Sequence, residues 1–132
     1  MVALALVCAM WPSAAHGAPV EVTAFSLSPP CVAPGGTVTA DTTVRNTTLL
    51  PQRFYAQTRA SYYGYPVATS QVYGPYDLPP LASTGTRTQM DVPLTAPWGW
   101  YTVVFGIGPS TGDAMGWSTR SAGVKVAPPP VC

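Results

Sequence analysis

Apolar and polar residues alternate with period two along most of this chain. From Thr37 to Asn46, Val38, Ala40, Thr42 and Val44 fall on one face, and Thr37, Thr39, Asp41, Thr43 and Arg45 fall on the other. That pattern predicts a half-buried strand, because successive side chains of extended backbone point to opposite sides. From Arg53 to Tyr63, Phe54, Ala56, Thr58, Ala60 and Tyr62 oppose Arg53, Gln57, Arg59 and Ser61. From Thr86 to Val92, Met90 and Val92 oppose Arg87, Gln89 and Asp91. From Trp100 to Ile107, Tyr101, Val103, Phe105 and Ile107 share a face. Stretches at Val20–Leu27, Val67–Tyr73 and near Ser118–Val126 bring the expected count to seven strands.

Turn signals separate these segments. They are Ser28-Pro29-Pro30, Pro34-Gly35-Gly36, Gly64-Tyr65-Pro66, Gly74-Pro75 with Leu78-Pro79-Pro80-Leu81, Gly108–Asp113 and Pro128-Pro129-Pro130. Sixteen prolines and 12 glycines suit many short turns, and no segment carries a helical period. Seven strands at this spacing predict an all-β, seven-stranded antiparallel sandwich of two packed sheets. There is no repeat and no sign of a second domain.

The first residues break this pattern. Val2 to Trp11 is a run of ten apolar residues, followed by Pro12 and the small residues Ser13, Ala14, Ala15, Gly17 and Ala18. The run is too short to span a bilayer. Its layout is that of a secretory signal peptide, here residues 1–18, with cleavage after Gly17 or Ala18. No Lys or Arg precedes the run. The expected product is a secreted, extracellular domain of residues 19–132, with no stable membrane insertion.

Cleavage would remove Cys8 and His16, leaving Cys31 and Cys132 and no histidine. An oxidising compartment favours pairing these two thiols. Closing a loop of that length is worth up to ~4.7 kcal/mol on the chain-entropy model. Strand parity agrees. If strands alternate in direction, the ends of the first and seventh lie at one pole, and Cys31 and Cys132 follow them. The disulfide would join the first inter-strand loop to the C-terminus. Without histidine there is no Ser-His-Asp triad, Cys-His pair or His-based zinc site.

Composition narrows the partners. Charged residues are 8% of the chain and the net charge is +1, which excludes the basic stripes of nucleic-acid binders. Apolar residues at 47% are enough to bury a core. Five arginines against one lysine, with much Ala, Pro and Gly, suggest a high-GC bacterial genome, where the Asn46-Thr47-Thr48 sequon is incidental.

Pro34-Gly35-Gly36-Thr37-Val38-Thr39 followed by Val44-Arg45-Asn46-Thr47-Thr48 resembles the start of bacterial extracellular Ig-like modules, both cell-adhesion-related and fibronectin-like. Leu81–Thr86 resembles their loop before an exposed strand, and Pro97-Trp98-Gly99-Trp100-Tyr101-Thr102-Val103 resembles the strand after it. The likeness spans roughly residues 30 to 107. It implies an Ig-like sandwich that binds or spaces and does not catalyse. The expected terminal disulfide departs from those modules and is similar to family 2 carbohydrate-binding modules, which also present surface tryptophans to polysaccharide. Their tryptophan spacing is not reproduced here.

Side-chain chemistry points the same way. Glu21, Asp41, Asp77, Asp91 and Asp113 are scattered, with no pairing for glycoside hydrolysis and no Asp-x-Asp calcium pattern. No enzyme activity, cofactor or metal is expected. Aromatic residues cluster instead, as Tyr62-Tyr63-Gly64-Tyr65 and Tyr73-Gly74-Pro75-Tyr76, with Trp98, Trp100 and Trp117 around another end. Flat rings suit sugar or protein surfaces. Tyr63, Tyr65, Tyr76 and Trp98 are the expected ligand contacts, with a polysaccharide or a protein surface as the partner. The strand Thr86–Val92 is a candidate sheet edge able to accept another chain.

Overall fold

The alternating segments form strands, and their apolar faces are the buried ones. The computed structural model describes residues 18–128, 130 and 131. The strands are β1 (Val20–Ser28), β2 (Cys31–Val32), β3 (Thr37–Asn46), β4 (Gln52–Tyr62), β5 (Tyr65–Thr69), β6 (Tyr73–Leu78), β7 (Ser83–Asp91), β8 (Gly99–Gly108) and β9 (Ser118–Val126). No helix occurs among the described residues.

One sheet has three strands in the order β1-β3-β7, and the other has six, β2-β9-β8-β4-β5 with β6 also on β4. Val38, Ala40 and Met90 of the small sheet pack against Ala60, Tyr101, Val103, Phe105 and Ile107 of the large one. The core between the sheets is therefore a sandwich core. Two hydroxyl contacts lie inside it. Thr58 of β4 meets Thr88 of β7 across the sandwich at 2.9 Å, and Thr42 meets Thr86 within the small sheet.

In β1 the alternation changes phase. Thr23 is an extra residue in the β1–β3 ladder, between Val22↔Val44 and Ala24↔Thr43. Val20 and Val22 face the core before this bulge, and Phe25 and Leu27 pack onto it after. A bulge shifts the facing set by one residue, so both apolar pairs are used.

The expectation of seven strands, all antiparallel, is corrected in two places. Cys31 and Val32 form a short strand that runs parallel to β9, with Cys31↔Lys125 and Val32↔Val126. The expected return strand at Val67–Tyr73 is two strands, and the Gly74-Pro75 connection lies inside the second. β5 pairs with the C-terminal half of β4 and β6 with its N-terminal half. The joint is Ser70, which is buried. Its N–H donates to the Thr58 carbonyl (2.8 Å) and its hydroxyl accepts from the Thr58 N–H (3.0 Å). A side-chain oxygen thus replaces one rung where the chain moves from one strand to the next. A run of apolar and polar letters carries no mark of such a joint.

The parallel β2–β9 pair sends both strands toward one pole. Cys31 sits there, and a turn from Pro128 to Val131 follows β9 (N–H to carbonyl 2.9 Å). Cys132 and residues 1–17, which hold most of the expected signal peptide, lie outside the described residues.

Candidate aromatic ligand site

Four exposed aromatic side chains are carried at the pole where β4 ends and β8 begins. Tyr63 is 85% exposed, Tyr65 76%, Trp98 60% and Trp100 67%. Tyr63 and Gly64 form a two-residue turn between the paired residues Tyr62 and Tyr65, with φ of 48° and 82°. Such turns need positive φ at both positions and favour Asn-Gly. A tyrosine in the left-handed region is strained by about 1–2 kcal/mol. Here that strain accompanies a fully displayed ring.

Tyr62 holds the cluster together. Its ring lies edge-on to Tyr63 (4.6 Å) and against Tyr101 (4.9 Å). Its hydroxyl donates to the Trp98 carbonyl at 3.2 Å. Gly99 passes so close to this ring that a Cβ would lie 3.0 Å from it, and φ there is +140°. The Tyr101 hydroxyl donates to the Pro97 carbonyl at 2.6 Å, and burial, then Tyr62, push this phenol up in pKa. Tyr62 thus ties the loop bearing Trp98 to the end of β4, and Tyr101 ties it to β8.

Trp100 lies on the outer face of the large sheet. It is paired with Lys125, and its indole rests beside Gly123, where a Cβ would meet Cε3 at 3.7 Å. On the same face is a groove of about 370 Å³. Arg59 and Ser61 of β4, Thr69 of β5, Val104 of β8 and Thr119 of β9 line it, with Met115 as one wall. Met115 reaches the sheet because the loop after β8 folds back over Gly106 and Gly108. A Cβ at Gly106 would lie 2.6 Å from the Met115 Cβ, and one at Gly108 would lie 1.8 Å from the Asp113 carbonyl oxygen.

Of the residues expected from sequence, Tyr63, Tyr65 and Trp98 are exposed at one pole. Tyr76 departs from the expectation of an open contact. It is half-buried on β6, stacked on Phe54 at 5.0 Å, and burial pushes its phenol up. β6 pairs with the opposite end of β4, so Tyr76 stands apart from the others. Trp100, 67% exposed, was not among the contacts expected from sequence. The signal was present, since Tyr101, Val103 and Phe105 face inward and leave Trp100 facing out. The groove was not foreseen, because four strands and a folded-back loop build it.

The carboxylates do not converge. Asp77 accepts from Arg53 (2.8 Å), which lowers its pKa, and Asp41 accepts from Arg87 (2.7 Å). Glu21 is opposite Arg45, and Asp91 accepts from the Thr37 hydroxyl at 3.0 Å. Among the described residues no three His, Cys, Asp or Glu side chains lie close enough to share a metal ion. No described helix is long and apolar enough to cross a membrane. β7 is a sheet edge, as expected, but the Tyr73 hydroxyl covers part of it by donating to the Gln89 carbonyl (3.1 Å) and accepting from the Gln89 N–H (3.0 Å).

No protein-family model matches the chain, and no curated protein does. Solved structures do. One is the alkylpurine DNA glycosylase AlkC of Pseudomonas fluorescens, with a TM-score of 0.61 and 17% identity, over 84% of this chain and 31% of that one. Another is a β-glucuronidase of glycoside hydrolase family 2, with a TM-score of 0.65 and 14% identity, over 82% of this chain and 13% of that one. A third is the C-terminal domain of wzt, with a TM-score of 0.65 and 9% identity, over 84% of this chain and 75% of that one. The chain thus spans less than a third of the two enzymes. At these identities the likeness is one of fold alone: the chain is a β-sandwich of a kind that also occurs within a DNA glycosylase and a glycoside hydrolase.

Proposed function

We propose that this chain is a secreted, non-catalytic binding module that takes a carbohydrate on its aromatic pole. The observation that carries this reading is that Tyr63, Tyr65, Trp98 and Trp100 are all exposed at one pole, with Tyr62 fixing the Tyr63 ring and the backbone at Trp98. Exposed rings on a rigid frame lose little entropy on binding and offer flat apolar faces to sugar rings. The sandwich shared with part of a β-glucuronidase of glycoside hydrolase family 2 supports the same class.

The finer architecture is proposed with it. The strand order β1-β3-β7 facing β9-β8-β4, with β2 parallel to β9, supports an Ig-like arrangement. A Cys31–Cys132 disulfide would clamp β2 to the chain end that follows β9. Its support is the position of Cys31 beside Lys125, six residues before Val131. Residues 1–18 contain the proposed export signal. Cleavage after Gly17 is favoured, because Ala18 is buried and its carbonyl accepts from the Thr47 hydroxyl at 3.3 Å.

The test is retention of the purified mature protein on chitin, cellulose and bacterial cell wall, with Tyr63→Ala, Trp98→Ala and Trp100→Ala beside it. Losing a ring that becomes buried on binding costs about 1.5–3 kcal/mol, or at least tenfold in affinity. Retention on none of the polymers refutes the proposal. A protein partner is the second reading, and the exposed Leu94 and Val131 at the same pole favour it. Pull-down from culture supernatant that depends on Leu94 would support it.

A further inference from the structure

Resting on the carbohydrate reading, we infer that the sugar carries a carboxylate, and that Arg59 in the outer-face groove recognises it. The first ground is charge placement. Glu21, Asp41 and Asp91 lie on the outer face of the small sheet, together with Arg45 and Arg87. Asp77 is on β6 and is held by Arg53. The outer face of β4, β8 and β9 carries Arg53, Arg59 and Lys125; Arg53 is taken up by Asp77 of the neighbouring β6, and no carboxylate stands on β4, β8 or β9 on that face among the described residues. Asp113, in the loop that bears Met115, turns its carboxylate toward Gly116, where a Cβ would lie 2.3 Å from both oxygens.

The second ground is the chemistry of the groove. The Arg59 guanidinium has only a 3.5 Å contact to the Gln57 amide oxygen, and no ion pair reaches it among the described residues. Ser61, Thr69 and Thr119 add hydroxyls, and Val104 and Met115 an apolar patch. This combination fits one sugar unit, with its carboxylate on the guanidinium, its hydroxyls on the three side-chain hydroxyls and its carbon face on the apolar patch. A guanidinium presents parallel donors that match a planar carboxylate bidentately. Trp100 is four residues from Val104 on the same strand, about 13 Å away, which is within reach of the next units of a chain. Lys125 beside Trp100 supplies a second cation for a repeating polyanion.

The probe is oligogalacturonate, with cello-oligosaccharide as its neutral counterpart and dextran sulfate as a polyanion without carboxylates. Binding to the mature protein is measured by calorimetry at low and high salt. The expected result is tighter binding of oligogalacturonate than of either comparator, weakening as salt rises. Arg59→Gln should weaken it at least tenfold, Arg59→Lys less, and Arg45→Gln on the other sheet not at all. Trp100→Ala should weaken every sugar. Neutral sugar bound through Trp100 and indifferent to Arg59→Gln would overturn the inference and leave the proposed function standing. Equal binding of dextran sulfate would overturn the carboxylate assignment. Binding of no sugar at all would overturn both.

Discussion

Asn46→Ala should be among the most damaging single changes in this protein. Asn46 ends β3 and is fully buried. Its amide nitrogen lies 2.8 Å from the Leu50 carbonyl oxygen and 3.1 Å from those of both Leu78 and Pro79. Its side-chain oxygen accepts from the Thr48 N–H at 2.9 Å and the Thr48 hydroxyl at 2.7 Å. One side chain therefore fastens the loop after β3 to the end of β6. Truncation strands the buried Leu78 carbonyl, at about 1–3 kcal/mol, while water replaces the part-buried contacts at smaller cost. The total is about 3 kcal/mol, or a fall in Tm of about 12 °C for a domain of this size. Urea unfolding followed by tryptophan fluorescence measures it, with an unchanged m-value as the sign of intact two-state folding. Asn46→Asp is the sharper variant. It sets a carboxylate among three carbonyl oxygens, so at neutral pH it should be worse than alanine and should partly recover as acid protonates it. A cost below about 1 kcal/mol for Asn46→Ala, or a stable Asn46→Asp protein at pH 7, would refute the reasoning. The same burial predicts that the folded protein leaves this sequon unmodified in a glycosylating host, as mass spectrometry would show.

Other outcomes follow from single contacts. Gly108→Ala would set a Cβ against the Asp113 carbonyl, so the loop bearing Met115 should detach, read as faster proteolysis between residues 109 and 117. Phe105→Ala should cost about 3–5 kcal/mol in denaturant unfolding, because this fully buried ring stacks on Phe25 at 6.0 Å. Tyr73→Phe removes the hydroxyl that covers Gln89 on the β7 edge, and should cost about 1 kcal/mol and raise self-association seen by light scattering. Burial raises the pKa of Tyr76 and Tyr101 above the ordinary 10.0. An acid whose folded pKa is raised stabilises the fold below its unfolded value and loses that contribution as pH rises, so stability should decline above pH 10 as these phenols ionise late in an ultraviolet titration.

The site was legible where it depended on strand parity and illegible where it depended on which strands become neighbours. Tyr63 and Tyr65 flank a glycine turn, and a turn exposes its side chains, so their exposure could be read from sequence. Tyr76 looked equivalent, with its own glycine and proline. It is half-buried because β6 lies beside β4 and stacks Tyr76 on Phe54. Arg59 read as an ordinary outward charge on an alternating strand. It lines a groove only because β5, β8 and β9 bring Thr69, Val104 and Thr119 around it and Met115 folds over from the following loop.

By itself the sequence determined the all-β class, the position of most strands and the inward face of each. These are short-range properties, since alternation at period two leaves extended backbone as the only arrangement that buries one set of residues. The tertiary structure decided the rest. It divided the expected fourth strand at Ser70, joined β2 to β9 in parallel, and brought Trp98 and Trp100 to the same pole as Tyr63 and Tyr65. Those outcomes depend on hydrogen-bond partners far apart in the chain, such as Tyr62 and Trp98 or Thr58 and Ser70. A residue's own neighbours in sequence carry no information about a partner that only folding supplies.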